Sequence, residues 1–247
     1  MNKKKKIFGV IRIIVIILLF GVFSYSGYRM YSGLDEYRKA EKERERLEQY
    51  EPEDIADDDI SKGSKKVAEL IERYPDVVGW LKLRGTVISY PFVQTENNND
   101  YLHHSLEGEE LRAGTLFMDY RNSADISDFN SIIYGHNMQN GSMFGTLKDF
   151  VNSETHWESH KRGWIYLPKN TLKLEIFAII TVHQSDGIIY NIGYPDDASK
   201  EKFLAHVRQN ANRWRDIGAG IEDRFVSLST CATATSPYRY VLVARVL

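Results

Sequence analysis

Cys231 is the one cysteine in 247 residues. It ends the stretch Ser227-Leu228-Ser229-Thr230-Cys231, and Arg239 follows eight residues later in Pro237-Tyr238-Arg239-Tyr240. A free thiol has a pKa near ~8.5, so only a small fraction is thiolate at neutral pH. A neighbouring guanidinium raises that fraction, or stabilises negative charge that develops on a reacting carbonyl. The chemistry within reach is nucleophilic attack on an acyl group. Such a cysteine needs an acid or base beside it, and histidine titrates in the right range. Among seven histidines, His136 stands apart: it ends the apolar run Ser131-Ile132-Ile133-Tyr134-Gly135, where a strand gives way to a polar loop. Loops on a rigid base carry function. His103 and His104 fall in a polar loop, and His156 and His160 lie among Thr, Glu, Ser and Lys. His183 ends a strand, and His206 sits on an amphipathic helix. These six read as solvated or structural. Cys231 and His136 each have an ordinary reading too, as a small buried hydrophobe and a surface residue.

The elements that must position these groups are strands. Residues 225–231 and 238–247 alternate in the manner of strands, with the turn-prone stretch Ala232 to Pro237 between them. An antiparallel hairpin with Cys231 opposite Arg239 places Ser229 opposite Val241 and Ser227 opposite Val243, all on one face. The other face carries Val226, Leu228, Leu242, Ala244 and Val246. The first face reads as the floor of a site, backed by a solid core face.

Upstream, Lys3 to Lys6 precede an apolar run from Ile7 to Phe23 that continues unevenly to Tyr28, broken by Arg12. About 20 apolar residues span a ~30 Å hydrocarbon core. The lysines place the amino-terminal end in the cytoplasm and the later residues outside. No Ala-x-Ala-like site follows the run, so an anchor is favoured over a cleaved signal. The formal charge of −2 conceals an asymmetry: five basic residues lie in the first 12, and the remainder carries 27 basic against 34 acidic residues. A mildly acidic exported part excludes nucleic acid as the expected partner.

The expected organisation is a basic tail at 1–6, a membrane anchor at 7–28, a charged helical stalk and linker at 29–63, and one globular domain at 64–247. Val67, Leu70, Ile71 and Tyr74 keep helical spacing before Pro75. Strands are expected at Val87 to Val93, Gly114 to Asp119, Ser131 to Tyr134, Gly163 to Leu167 and Leu172 to Val182. Helices are expected to interrupt these strands only near Met143 to Phe150 and Lys200 to Trp214. The fold class is mainly β, a closed or nearly closed barrel with few helices. With neither a Cys pair nor paired histidines at ligand spacing, no metal or cofactor is expected. Asp125 and Asp128 read as part of a solvated loop.

Several stretches together resemble the class B sortases, cysteine transpeptidases of Gram-positive cell surfaces. They are Leu228-Ser229-Thr230-Cys231 with Arg239, Tyr134-Gly135-His136-Asn137-Met138, Tyr90-Pro91-Phe92-Val93-Gln94, Asn98 with Tyr101-Leu102, Gly114 to Arg121, and Gly141-Ser142-Met143-Phe144. The resemblance covers about residues 64–247 and implies a sortase-type barrel. It implies Cys231 as nucleophile, His136 as acid and base, and Arg239 as the group that steadies the oxyanion or the substrate backbone. By the same resemblance Asn98 lies in the substrate groove, and Ser229 and Thr230, flanking the nucleophile, are expected to bond the substrate peptide. The implied reaction is cleavage of a carboxyl-terminal sorting signal after Thr through a thioacyl-enzyme, with transfer of the surface protein to a peptidoglycan amine. A Cys–His peptide hydrolase and a pilus-polymerising sortase are the alternatives, and a non-catalytic binding module is a more distant one.

Overall fold

The computed structural model describes residues 3–53, 64–230 and 236–247. Contacts divide the chain into an amino-terminal unit ending at Lys42 and a compact unit from Glu43 to Leu247. Helix α1 (Lys3–Leu47) contains an 18-residue window of mean hydropathy 2.8, long and apolar enough to cross a membrane. The compact unit begins well before Ser64, inside the stretch expected to be a charged linker. The reason is local: Leu47 is buried among core residues. Just after it, Glu51 accepts from Ser89 Oγ at 2.8 Å and pairs with Lys82 at 3.0 Å.

Helix α2 (Lys65–Arg73) forms where the spacing predicts. Ser64 caps it by accepting from the Val67 N–H, and Val67 and Leu70 are its buried residues. Among the described residues nine strands follow: β1 (Val77–Leu83), β2 (Ser89–Val93), β3 (Leu116–Met118), β4 (Asn130–Gly135), β5 (Arg162–Tyr166), β6 (Thr171–His183), β7 (Ala211–Trp214), β8 (Arg224–Thr230) and β9 (Tyr238–Val246). They form one sheet in the order β5-β1-β2-β3-β4-β8-β9-β6-β7, and β5 also pairs with β6. Eight strands thus close a barrel, and β7 lies on the flank of β6 beyond the reach of β5. The expected closed β-barrel is present.

Two strands depart from expectation. β1 was not expected, because Val77-Val78-Gly79-Trp80-Leu81 does not alternate: five of the seven residues from Val77 to Leu83 are buried, so both faces lie against protein. Gly79 is required there, since a Cβ would lie 2.7 Å from the Tyr166 carbonyl oxygen. β7 lies inside the helix expected over Lys200 to Trp214. That helix, α5 (Asp197–Gln209), starts at a capping box between Asp196 and Ser199 and stops at Asn210. Residues 211–214 then pair with β6. Likewise the helix expected over 143–150 starts later, as α3 (Leu147–Asn152), and a second, α4 (Glu154–Ser159), follows it. Met143 is held at φ 54°, outside helical conformation.

The β8–β9 register is the expected one, with Ser229 opposite Val241 and Ser227 opposite Val243. The face they share is not an open floor, however. Val241 and Val243 pack with Phe203 and Val207 of α5, and the side chain of Ser227 donates to Asn130 Oδ1 at 2.8 Å. Both faces are core, so chemistry is confined to the rim where β4 and β8 end.

Candidate active site

β4 and β8 run parallel, and their last paired residues are Gly135 and Thr230. The next residues along the two strands are His136 and Cys231. Cys231 itself lies outside the described residues, as do Ala232 to Thr235. Arg239 enters from β9, and its Nη1 donates to the Thr230 carbonyl at 2.9 Å. The guanidinium is therefore tied to the residue immediately before the cysteine. Arg239 and His136 line one cleft of ≈ 320 Å³ with Asn98, Leu102, His103, Phe117 and Tyr134.

The backbone fixes His136 from both sides. Its own carbonyl accepts the Phe144 N–H at 3.0 Å. Its Nε2 lies 2.7 Å from the Leu102 carbonyl oxygen. A carbonyl only accepts, so Nε2 carries a hydrogen and Nδ1 is the nitrogen left to exchange a proton. The His103 ring stacks on the imidazole at 5.3 Å between centroids. Burial lowers the His136 pKa below its ordinary value. The Leu102 carbonyl opposes that shift, while His103, Arg112 and Arg239 reinforce it.

Beneath the cleft lies Asp119, fully buried at the end of β3. Arg121 Nε and Nη2 bind its two oxygens at 2.8 Å each, and the Tyr134 hydroxyl donates to it at 3.0 Å. Burial alone would raise the Asp119 pKa; the Arg121 fork and Tyr134 bring it below the usual carboxylate value. Asn98 is locked to the same group: its Nδ2 donates to Asp119 Oδ2 at 3.2 Å and its Oδ1 accepts the Tyr120 N–H at 3.0 Å. Asp119 thus orients two residues of the cleft. Asp119→Ala is expected to cost about 3 kcal/mol in urea unfolding. That is the low end for breaking a buried ion pair, because the Arg121 side chain is 43% exposed and water reaches it.

The structure treats the other expected groove residues differently. Asn98 lines the cleft. Thr230 does not; its Oγ1 accepts the Tyr240 N–H at 3.1 Å, and it faces a smaller recess on the far side of Arg239. Ser229 is fully buried and bonded to the Tyr190 hydroxyl at 3.0 Å, sealed from both recesses among the described residues. Sequence reasoning missed His103, set aside as a loop residue, and Asp119. For Asp119 a signal existed: an acid ending an apolar strand, two residues before an arginine. Among the described residues no group of His, Cys, Asp and Glu is arranged to hold a metal ion.

Comparison with known proteins identifies the family. Residues 83–247 match the model of the sortase domain family. Sortase B of Listeria monocytogenes is 30% identical over 218 residues, 88% of this chain and 88% of that protein. A Staphylococcus aureus sortase B–substrate complex superposes with a TM-score of 0.70 at 30% identity, covering 75% of this chain and 86% of that one. A Streptococcus pyogenes class B sortase involved in pilus biogenesis superposes with a TM-score of 0.67 at 37% identity, covering 73% of this chain and 97% of that one. With an eight-stranded barrel of the same build and a match of this extent, the chain belongs to the sortase family, among its class B members.

Proposed function

We propose that this protein is a cysteine transpeptidase acting on a sorting signal of an exported protein. The observation that carries the reading is the convergence of His136 and Arg239 on one cleft, at the end of the strand that leads into Cys231. Cys231 attacks the carbonyl of the threonine before the scissile bond and forms a thioacyl-enzyme, dividing one hard acyl transfer into two easier ones. His136 gives a proton from Nδ1 to the leaving amine and takes one from the incoming amine. Arg239, with one arm on the Thr230 carbonyl, directs its remaining donors at the oxyanion. The acceptor is a peptidoglycan amine, and the product is a surface protein joined to the wall. The apolar stretch of α1 is a membrane anchor, with the lysine-rich end cytoplasmic and the compact unit outside. The pilus-linked neighbour at 37% identity supports a second reading, in which the acceptor is a lysine of another pilin-like subunit.

The test is incubation of the full chain with sorting-signal peptides, with and without amine acceptors, followed by mass spectrometry of protein and products. An acyl adduct on Cys231 and a ligated product that requires the amine support the transpeptidase. Release of free acid under every acceptor identifies a hydrolase instead, and a preference for a pilin-type lysine over wall-type amines identifies the second reading.

Arg239→Lys separates charge from geometry. Lysine keeps the charge but cannot hold the Thr230 carbonyl and an oxyanion in one plane. The expected result is a fall in kcat of about 10²-fold with little change in KM, the signature of a contact made in the transition state.

A further inference from the structure

The charged end of α1 is not a free tether. Glu43 Oε1 accepts the Leu106 N–H at 3.3 Å, and Arg46 Nη1 lies 2.6 Å from Glu107 Oε2. Leu47 and Leu106 are each 6% exposed and belong to one core cluster, against which Leu102 and Tyr134 also pack. Glu107 is held from a second side by the Tyr74 hydroxyl at 3.0 Å. All these contacts fall on one loop, residues 101–115, whose other end touches the active site: Leu102 supplies the carbonyl that binds His136 Nε2, and His103 supplies the ring stacked on it. The loop is internally stiff. Leu111 N–H donates to His103 O at 2.8 Å, and Thr115 N–H to Tyr101 O at 3.0 Å. Gly114 sits at φ +57° so close to Leu102 O that a Cβ would lie 2.4 Å from it. A push at Leu106 and Glu107 is therefore carried to Leu102 and His103 and not absorbed between them.

We propose that Glu43, Arg46 and Leu47 are positioning residues for the His136 imidazole, acting through the 101–115 loop. The end of the helix that carries the candidate anchor is then part of the support of the active site. The catalytic consequence rests on the role proposed for His136; the positioning itself does not. The groups facing the imidazole are His103 and Arg112 on the loop and Arg239 on β9, with burial as the dominant influence and the Leu102 carbonyl opposing it. Loosening the loop removes both the burial and the carbonyl contact. Burial is the larger, so the imidazole pKa moves up, towards 6.5.

The test uses the full chain in detergent micelles, with Leu47→Ala to empty the buried contact and Arg46→Glu to set like charges opposite Glu107. Arg46→Glu leaves the core intact and keeps the test valid where Leu47→Ala unfolds. Arg46→Lys and Leu47→Met are the conservative partners. Three readouts are taken: amide exchange of Leu106 and Thr115, NMR titration of His136, and the pH profile of kcat/KM. Positioning predicts faster exchange, an upward shift of the His136 titration, an acid limb that rises with it, and kcat/KM lower by about 10- to 10²-fold, with the conservative variants close to wild type. Faster exchange with an unmoved His136 titration overturns the proposal, as does no change in any readout. A moved titration with an unmoved acid limb upholds the positioning and instead overturns the catalytic role of His136.

Discussion

Cys231→Ala is expected to abolish turnover of a sorting-signal peptide, lowering kcat/KM by about 10⁴-fold or more, while Tm and far-UV circular dichroism stay near wild type. The size of the loss follows from the route. Without a thiolate no acyl-enzyme forms, and the remaining donors of Arg239 and His136 can bind the carbonyl but have nothing covalent to stabilise. Cys231→Ser is expected to fail almost as completely. A hydroxyl must lose its proton during attack, and His136, its pKa lowered first by burial, is a weak base for so poor an acid. The measurement is peptide cleavage with protein mass spectrometry. Wild type accumulates an acyl adduct when the amine is withheld, and the alanine variant shows none. Turnover that survives Cys231→Ala would remove the thiol from the mechanism and sink the transpeptidase reading.

The parts of this molecule legible in the sequence are those in which a local pattern has one physical meaning. The β8–β9 register was readable because a one-residue slip would exchange Ser227 and Ser229 for Val226 and Leu228 on the same face. α2 was readable because Val67 and Leu70 face one way beneath a Ser64 cap. β7 was misread because Phe203, Val207 and Trp214 keep helical spacing across the break at Asn210. No composition signal marks where hydrogen bonding switches to a neighbouring strand. The open floor expected beneath Cys231 failed for a different reason. Alternation assigns faces, but it does not say what covers them, and here α5 and the segment around Tyr190 do.

The same distinction explains the site. His136 could be singled out because it ends a strand, whereas His103 acquires its place only when the 101–115 loop folds back and sets its ring on that imidazole. Glu43 and Arg46 look like any charged pair on a solvated helix, and their partners Leu106 and Glu107 lie about 60 residues away in sequence. Long-range partners of this kind leave no period in the chain. They also decide the electrostatics that matter, since the Leu102 carbonyl determines which nitrogen of His136 titrates.

His136→Ala is expected to lower kcat/KM by about 10²- to 10⁴-fold, the range for removing one general acid and base, and to change the shape of the pH profile as well as its height. On the proposed mechanism Cys231 and His136 act as a coupled pair that holds one shared proton between two apparent pKa values. Below the lower value both groups are protonated and the thiolate is gone; above the upper value both are deprotonated and no acid remains for the leaving amine. The wild-type profile between about pH 5 and pH 9 is therefore a bell. Because His136 titrates below its ordinary value, burial first among the causes, the thiolate–imidazolium form is the minor partner of thiol and neutral imidazole. A change that raises the imidazole pKa and leaves the ring in place enlarges the competent fraction. Arg112→Ala removes a positive neighbour, so it moves the acid limb upward and increases kcat/KM near the centre of the bell. In His136→Ala the alkaline fall disappears, leaving a single rise that follows the thiol, and added imidazole restores part of the rate. A variant that keeps the alkaline fall of the wild type would show that another group supplies the proton and would displace His136 from the mechanism.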